Sequence, residues 1–379
     1  MNKKLIKICF VIDTLEIGGT EKQLIEVINN LDPAKFKTYL VCLKSSQMFE
    51  SLDANNCNKL LLNIKSLKTI NALKKILLFR SFLVKEKIDI VQTFFLDANI
   101  LGVITARLAG VKKIISCRRD MGFWYDKKKL NYLRFINKFV DRFLVNSEAI
   151  KKNLSNIESV SKDKIDVIYN GIDLKLFDNI KKKTKAEIKK ELNIPYHHIV
   201  IGCIANFNRE VKRVDVFIKA SAIISQVAKN VSFLIVGDGC LKNELIKLSI
   251  NLNIADKIIF TGQRNDIPAL LQTIDIGVLT SDSEGFSNSI IEYMAAGIST
   301  VATDVGGNRE LIENNIDGFL APPDNPQLIA DAILKLINDE KLSVMMGKSS
   351  KQKIHQKFSL EKMITKLENY YSGILIKNI

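Results

Sequence analysis

Two glutamates, Glu284 and Glu292, frame the densest polar segment of this 379-residue sequence, Asp282-Ser-Glu-Gly-Phe-Ser-Asn-Ser-Ile-Ile-Glu292. Carboxylates accept hydrogen bonds from sugar hydroxyls. The stretch between them, Gly285, Phe286, Ser287, Asn288 and Ser289, follows a strand-like run and opens a helix-like one. A loop at a helix N-terminus points backbone N–H groups at an anion. Glu292 is expected on the first helical turn. There it could also serve the helix dipole alone, at about 0.3–1 kcal/mol. Three further turns carry related chemistry. Ala302-Thr-Asp-Val-Gly-Gly-Asn-Arg-Glu-Leu311 has two glycines that permit close backbone approach to a phosphate. Gly18 and Gly19 lie between the first strand and the first helix, with Thr20 as an alternative N-cap. They are not the dinucleotide fingerprint, because Gly-x-Gly-x-x-Gly is absent. Arg209 and Lys212, after the first strand of the second half, could neutralise a diphosphate leaving group without a metal, or be a solvated basic loop. Gly237-Asp238-Gly239 reads as a β-turn or a nucleotide-side turn.

Short β-rich runs alternate with longer amphipathic ones along the whole chain. Strand candidates in the first half run from 7–12 through 38–43, 60–64, 88–93, 113–117 and 142–146 to 165–169. In the second half they fall at 200–205, 233–236, 257–261, 276–280, 299–302 and 319–321. This alternation predicts parallel sheets built from right-handed βαβ units. Two such sets give an α/β chain of two doubly wound, Rossmann-like domains facing across a cleft. Their ligands are expected beyond the carboxyl ends of the strands. The expected boundaries are 1–170, a linker at 171–195, 196–355, and a last helix at 356–379.

The run Glu284-Gly-Phe-Ser-Asn-Ser-Ile-Ile-Glu292 resembles the paired-glutamate signature of retaining glycosyltransferases of the family-4 group, which have the GT-B architecture. Gly18-Gly-Thr-Glu21, Asn170-Gly-Ile-Asp173, Val236-Gly-Asp-Gly239, Gly262-Gln-Arg264 and Val305-Gly-Gly-Asn-Arg-Glu-Leu311 follow the family order across nearly the whole chain. The resemblance implies transfer of a sugar from a nucleotide-sugar to a glycan or lipid-linked acceptor in surface-polysaccharide assembly. It places the acceptor on the first domain and the donor on the second. It implies that Glu284 meets donor-sugar hydroxyls, Gly285 to Ser289 supply amides, and Glu292 holds the ribose. Lys212 and Arg209 would stabilise the departing diphosphate, Gln263 and Arg264 would lie beside the base, and Gly18 and Gly19 would cap the phosphate. No metal and no cofactor are expected. Tyr370 and Tyr371 would return with the last helix to the first domain. The family often spaces its Arg and Lys five apart; here Arg209 is three before Lys212. Arg118 and Arg119 are offered as acceptor or phosphate contacts, against a pairing with Asp120. A noncatalytic nucleotide-sugar-binding subunit and a sugar-nucleotide epimerase of the same fold are the alternatives.

The charge is lopsided. The chain carries +15, of which residues 1–170 contribute +13. Such an excess suits an anionic partner, a lipid pyrophosphate or an anionic membrane face, unless it only reflects a Lys-, Asn- and Ile-rich composition. Nucleic acid is not expected, since no aromatic-basic platform or known module is present. Trp124 and Tyr125, beside Lys127–Lys129, could form a membrane edge, an acceptor lid or a plain surface loop. Six scattered cysteines lack metal or redox spacing and fit a reducing compartment. The expected location is cytoplasmic, peripheral on the inner membrane face.

Overall fold

The computed structural model describes residues 5–16, 18–52, 57–64, 70–178 and 184–376. Ile17 and residues 179–183 of the expected linker lie outside them. The chain divides into two compact units, Met1–Gly171 with Leu360–Ile379, and Ile172–Ser359.

The first unit holds β1 (Ile6–Ile12), β2 (Phe36–Cys42), β3 (Cys57–Leu61), β4 (Ile90–Phe94), β5 (Lys113–Arg118), β6 (Arg142–Val145) and β7 (Ile165–Val167). They form one parallel sheet in the order β3-β2-β1-β4-β5-β6-β7. Sequence alone predicts 60–64 for the third strand, but the register pairs Thr38 with Cys57 and Cys42 with Leu61. Leu62 and Ile64 are buried beyond the sheet edge, on either side of Asn63, whose φ of 52° turns the chain. Apolar alternation cannot distinguish a strand from its buried exit.

The second unit holds β8 (Ile199–Ile204), β9 (Val231–Val236), β10 (Ile258–Gly262), β11 (Ile276–Leu279), β12 (Ser299–Thr303) and β13 (Phe319–Ala321), in the order β10-β9-β8-β11-β12-β13. The stretch expected as linker contains the helix Lys185–Glu191. It opens with a Thr184–Glu187 capping box and buries Ile188 and Ile194 in this unit's core.

Helices cover both faces of each sheet, so the central strands are apolar almost throughout; Ile8 to Ile12 are fully buried. Strand order reverses between β1 and β4 in one unit and between β8 and β11 in the other. Ligands of doubly wound sheets sit at such reversals, beyond the carboxyl ends. The segments with chemistry fall at that end: Gly18–Gly19 after β1, Arg118–Arg119 at the end of β5, Arg209–Lys212 after β8, and Glu284 after β11.

Candidate active site

In the second unit, the loops after β8 and β11 are tied into one body. Asp282 N–H donates to the Val211 carbonyl at 2.8 Å, and Thr280 Oγ1 donates to the Arg213 carbonyl at 2.8 Å. Arg213 adopts a left-handed conformation, φ 46° and ψ 46°, and ion-pairs with Asp215, Asp282 and Asp324. These ties set the neighbouring Lys212. Its Nζ donates to Glu284 Oε1 at 2.7 Å, and Ser281 Oγ donates to the same oxygen at 2.6 Å. The Glu284 side chain is 9% exposed and that of Lys212 23%. The pair is therefore largely withdrawn from water, where a charge-assisted hydrogen bond is strong.

The turn after β12 fixes Glu284 from behind. Gly306 has φ +50°, and a Cβ there would lie 1.8 Å from the Glu284 carbonyl oxygen. Gly307 N–H donates to that oxygen at 3.3 Å. Sequence predicts a phosphate-approach turn here; the close approach that Gly306 makes is to Glu284 itself.

The helix Asn288–Ala295 follows the Glu284 loop. Ser287 is its N-cap, accepting from Ile290 N–H. Glu292 is buried on the second turn, one turn deeper than sequence predicts, because capping starts at Ser287. A first-turn dipole role is thus replaced by an inward position. Tyr293 anchors this helix to β8: its hydroxyl accepts from Ile204 N–H at 2.8 Å and donates to the Gly202 carbonyl at 3.2 Å. Gly277 leaves room for that ring, since a Cβ there would come within 2.4 Å of it. Ser289 Oγ donates to the Ile204 carbonyl at 3.0 Å. The Phe286 ring is buried against Phe358, with centroids 5.5 Å apart. The side chains of Phe286, Ser287 and Ser289 therefore hold the loop. Buried Gly285 and half-buried Asn288 complete it.

Arg209 is exposed and lines a cavity of about 660 Å³ with Glu210, Arg213 and Leu245. Gln263 is exposed after β10. Arg264 is braced by Asp266 and Glu191. Gly237 lies against the Ala205 carbonyl, with φ +139°. Among the described residues, no group of three or more His, Cys, Asp or Glu side chains is placed to hold a metal ion.

In the first unit, Gly18 is the N-cap of the helix Gly19–Asn30 and makes no side-chain cap bond. The sequence alternative of Thr20 as N-cap is corrected, because Thr20 lies inside the helix. A Cβ at Gly18 would meet Glu21 Oε2 at 2.3 Å, so glycine admits the Glu21 side chain.

Arg118 as a ligand contact is also corrected. It is buried and donates to Glu158 through Nε and Nη2, to Asn137 through Nη2, and to Ser116 and the Cys117 carbonyl through Nη1. A guanidinium has five donors, and all are used. Burial alone would raise the Glu158 carboxyl, but the Arg118 charge and hydrogen bonds, with Asn137, hold it below its usual range. Asp120 instead binds Trp124 Nε1 at 3.0 Å, which folds the Trp124–Tyr125 pair down.

Arg119 is different. It is half-buried over Phe94 and donates to Asn170 Oδ1 at 3.2 Å. Its Nε and the Oδ1 of Asn146 are both buried without a protein partner. Sequence reasoning missed Glu158, Arg213, Tyr293 and Asn146. Glu158 and Tyr293 have partners distant in sequence, and Arg213 reaches Asp282 and Asp324 only through the fold, with only Asp215 nearby.

Two family models match the chain: "Glycosyltransferase Family 4" over residues 17–176 and "Glycosyl transferases group 1" over residues 184–353. A UDP-Gal:alpha-D-GlcNAc-diphosphoundecaprenol alpha-1,3-galactosyltransferase of Escherichia coli is 27% identical over 380 residues, 95% of each chain. A Campylobacter jejuni N-acetylgalactosamine-N,N'-diacetylbacillosaminyl-diphospho-undecaprenol 4-alpha-N-acetylgalactosaminyltransferase is 27% identical, over 89% of this chain and 91% of its own. The crystal structure of Anabaena HepE in complex with UDP and glucose superposes with a TM-score of 0.86 at 21% identity, covering 97% of this chain and 99% of its own. Two Rossmann-like units, the ordered motifs and these matches together place the chain in glycosyltransferase family 4, with the GT-B fold.

Proposed function

We propose that this glycosyltransferase moves a hexose-type sugar, with retention, from a UDP-sugar to a sugar already linked to a lipid diphosphate. The observation that carries this reading is the largely withdrawn Lys212–Glu284 pair, held by Arg213, Ser281 and Gly306. A fixed cation beside a fixed carboxylate suits a sugar diphosphate. Lys212 meets the charge that grows on the β-phosphate as its bond to C1 breaks. Glu284 orients Lys212 and accepts from a donor-sugar hydroxyl. Gly285 to Ser289 supply amides, and Glu292 holds the ribose. The acceptor oxygen bonds to C1 on the face the diphosphate leaves, and its proton goes to the departing phosphate. Glu284 is thus a positioning and electrostatic group, not a nucleophile. Arg119, half-buried just past β5, meets the acceptor diphosphate. UDP-Gal and an alpha linkage to a diphospholipid-borne sugar appear in the name of the E. coli relative, and diphospho-undecaprenol acceptors recur among the relatives.

The test is transfer from UDP-Gal, UDP-Glc or UDP-GlcNAc to a short-chain GlcNAc-diphospholipid. Lys212→Ala and Glu284→Gln are each expected to lower kcat by about 100-fold or more, measured below the midpoint of each variant's own melt so that lost folding is not read as lost catalysis. Full turnover by Glu284→Gln, or UDP-sugars that leave the wild-type melting temperature unmoved, would overturn it.

A further inference from the structure

Three helices of the first unit, Ile70–Glu86, Leu96–Leu108 and Lys127–Ile136, pack side by side. Arg80 Nε donates to the Leu108 carbonyl at 2.9 Å, and Arg107 Nε donates to the Phe139 carbonyl at 2.8 Å. The outward stripe of each helix should be polar in a freely soluble protein. Instead Leu73 and Leu77 are each 62% exposed, Leu108 59%, Tyr132 61% and Phe135 56%. Their spacings, i to i+4 in the first helix and i to i+3 in the third, put them on single faces. Phe139 extends the third stripe, its ring 5.5 Å from that of Phe135. Exposed apolar rows on three packed helices mark an interaction site.

The charges around it are mainly basic; Glu86, Asp97, Asp126 and Asp141 are acidic exceptions on or beside these helices, and of these Asp126 pairs with Lys129 and Asp141 with Arg107. Residues 70–85 carry Lys74, Lys75, Arg80 and Lys85 and no acidic residue. Residues 127–139 carry Lys127, Lys128, Lys129, Arg134 and Lys138 and again no acidic residue. A second copy of this chain would bring one net-basic face against another. An anionic lipid surface would take the apolar rows into its acyl boundary and the cations at its headgroups. No helix among the described residues is long and apolar enough to cross a membrane, so the contact would be interfacial.

We infer that this three-helix face docks the first unit on an anionic membrane, with Tyr132, Phe135 and Leu77 inserted and Lys127, Lys128 and Arg134 on the headgroups. The inference rests on the lipid-linked acceptor reading, and it gives the surplus charge of this half of the chain a place. Trp124 and Tyr125, which sequence offers as a membrane edge, an acceptor lid or a surface loop, are half-buried; among the described residues of the first unit the exposed aromatics are Phe123 before them and, on the docking face, Tyr132, Phe135 and Phe139.

The experiment is co-sedimentation of the full chain with vesicles of phosphatidylglycerol mixed into phosphatidylcholine, and of phosphatidylcholine alone. Binding is expected only to the anionic vesicles, weakening with salt. Lys127→Gln with Lys128→Gln should lower partitioning about 30-fold. Tyr132→Ser with Phe135→Ser should lower it at least about tenfold. These side chains are exposed, so melting temperatures and transfer to a detergent-dispersed short-chain acceptor should be unchanged. Equal binding to both vesicle types, or variants that bind like wild type, would overturn the face. So would a concentration-dependent dimer that Tyr132→Ser with Phe135→Ser dissolves while vesicle binding persists. Vesicle binding without transfer to any diphospholipid acceptor would instead sink the acceptor reading and leave the docking face standing.

Discussion

Replacing Arg118 with Ala strips Glu158, 2% exposed, of its ion-pair partner. Breaking a buried pair from one side costs about 3–5 kcal/mol. The expected result is a large fall in melting temperature. Whatever stays folded should keep its kcat, since no Arg118 donor is available to a ligand. The pair also has a pH signature. Glu158 is held below its ordinary range, so its contribution is present above the unfolded value and is lost as pH falls through the lowered one. Arg118→Ala should therefore flatten the acid limb of the stability curve. Arg119→Ala should do the reverse: little change in melting temperature, and kcat/KM lower by about tenfold or more, the worth of a charge-assisted contact. Steady-state kinetics and thermal melts on the two variants decide. Equal thermal losses for both would show that Arg119, too, is structural. The neighbours are indistinguishable in sequence. Only Glu158, forty residues on, separates their roles.

At the scale of elements, each site group depends on a joint between two loops. Gly306→Ala should displace the Glu284 carbonyl and with it the carboxylate that holds Lys212. A misplacement of about 1 Å can cost about 100-fold in rate. The expected outcome is that loss in kcat with an intact circular dichroism spectrum; wild-type kinetics would mean the joint does not position Glu284. A second joint lies in the first unit. Asp13, just past β1, accepts from Ala98 N–H at 2.6 Å in the first turn of the helix Leu96–Leu108. Burial, then Asp97, pushes its carboxyl up, while the Ala98 and Asp97 N–H groups and Lys44 pull it down; the result is about 7. A raised folded pKa favours folding below the unfolded value and loses that contribution as pH climbs through the folded one. Asp13→Asn keeps an acceptor for Ala98 and drops the charge. It should match wild type near pH 4 and exceed it by about 1–3 kcal/mol at pH 8. A melting-temperature gap that does not vary with pH would sink this. The thirteen strands among the described residues were legible within about three residues, because most are buried parallel strands that read as apolar runs; β3, with Asn58 and Lys59 exposed, was misplaced most. The Glu284 loop was legible because its glycine, cap and carboxylates are local. The Arg213 clamp was not, because Asp282 and Asp324 reach it only through the fold.

At the scale of the molecule, the two units are not built alike. The second is one continuous stretch, Ile172–Ser359, whereas the first needs the returning segment from Leu360. The helix Leu360–Ile376 buries Leu360, Met363, Ile364, Leu367 and Tyr371 in the first unit's core. Tyr371 stands edge-on to Phe36 at 6.1 Å, and its hydroxyl donates to Gln92 Oε1 at 2.8 Å. Burying a large apolar side chain contributes about 1.5–3 kcal/mol, so five contribute roughly 8–15. A domain's whole stability is about 5–15 kcal/mol. Ending the chain at Ser359 should therefore unfold the first unit and leave the second. Calorimetry of the shortened chain is expected to lose one transition while UDP still raises the midpoint of the other. The stretch 172–359 alone should melt cooperatively, and UDP should raise its midpoint too. Two transitions surviving the truncation would mean that the sheet of β1 to β7 is closed without the last helix. The apolar cluster around Phe36 and Tyr371 would then contribute far less than its burial implies.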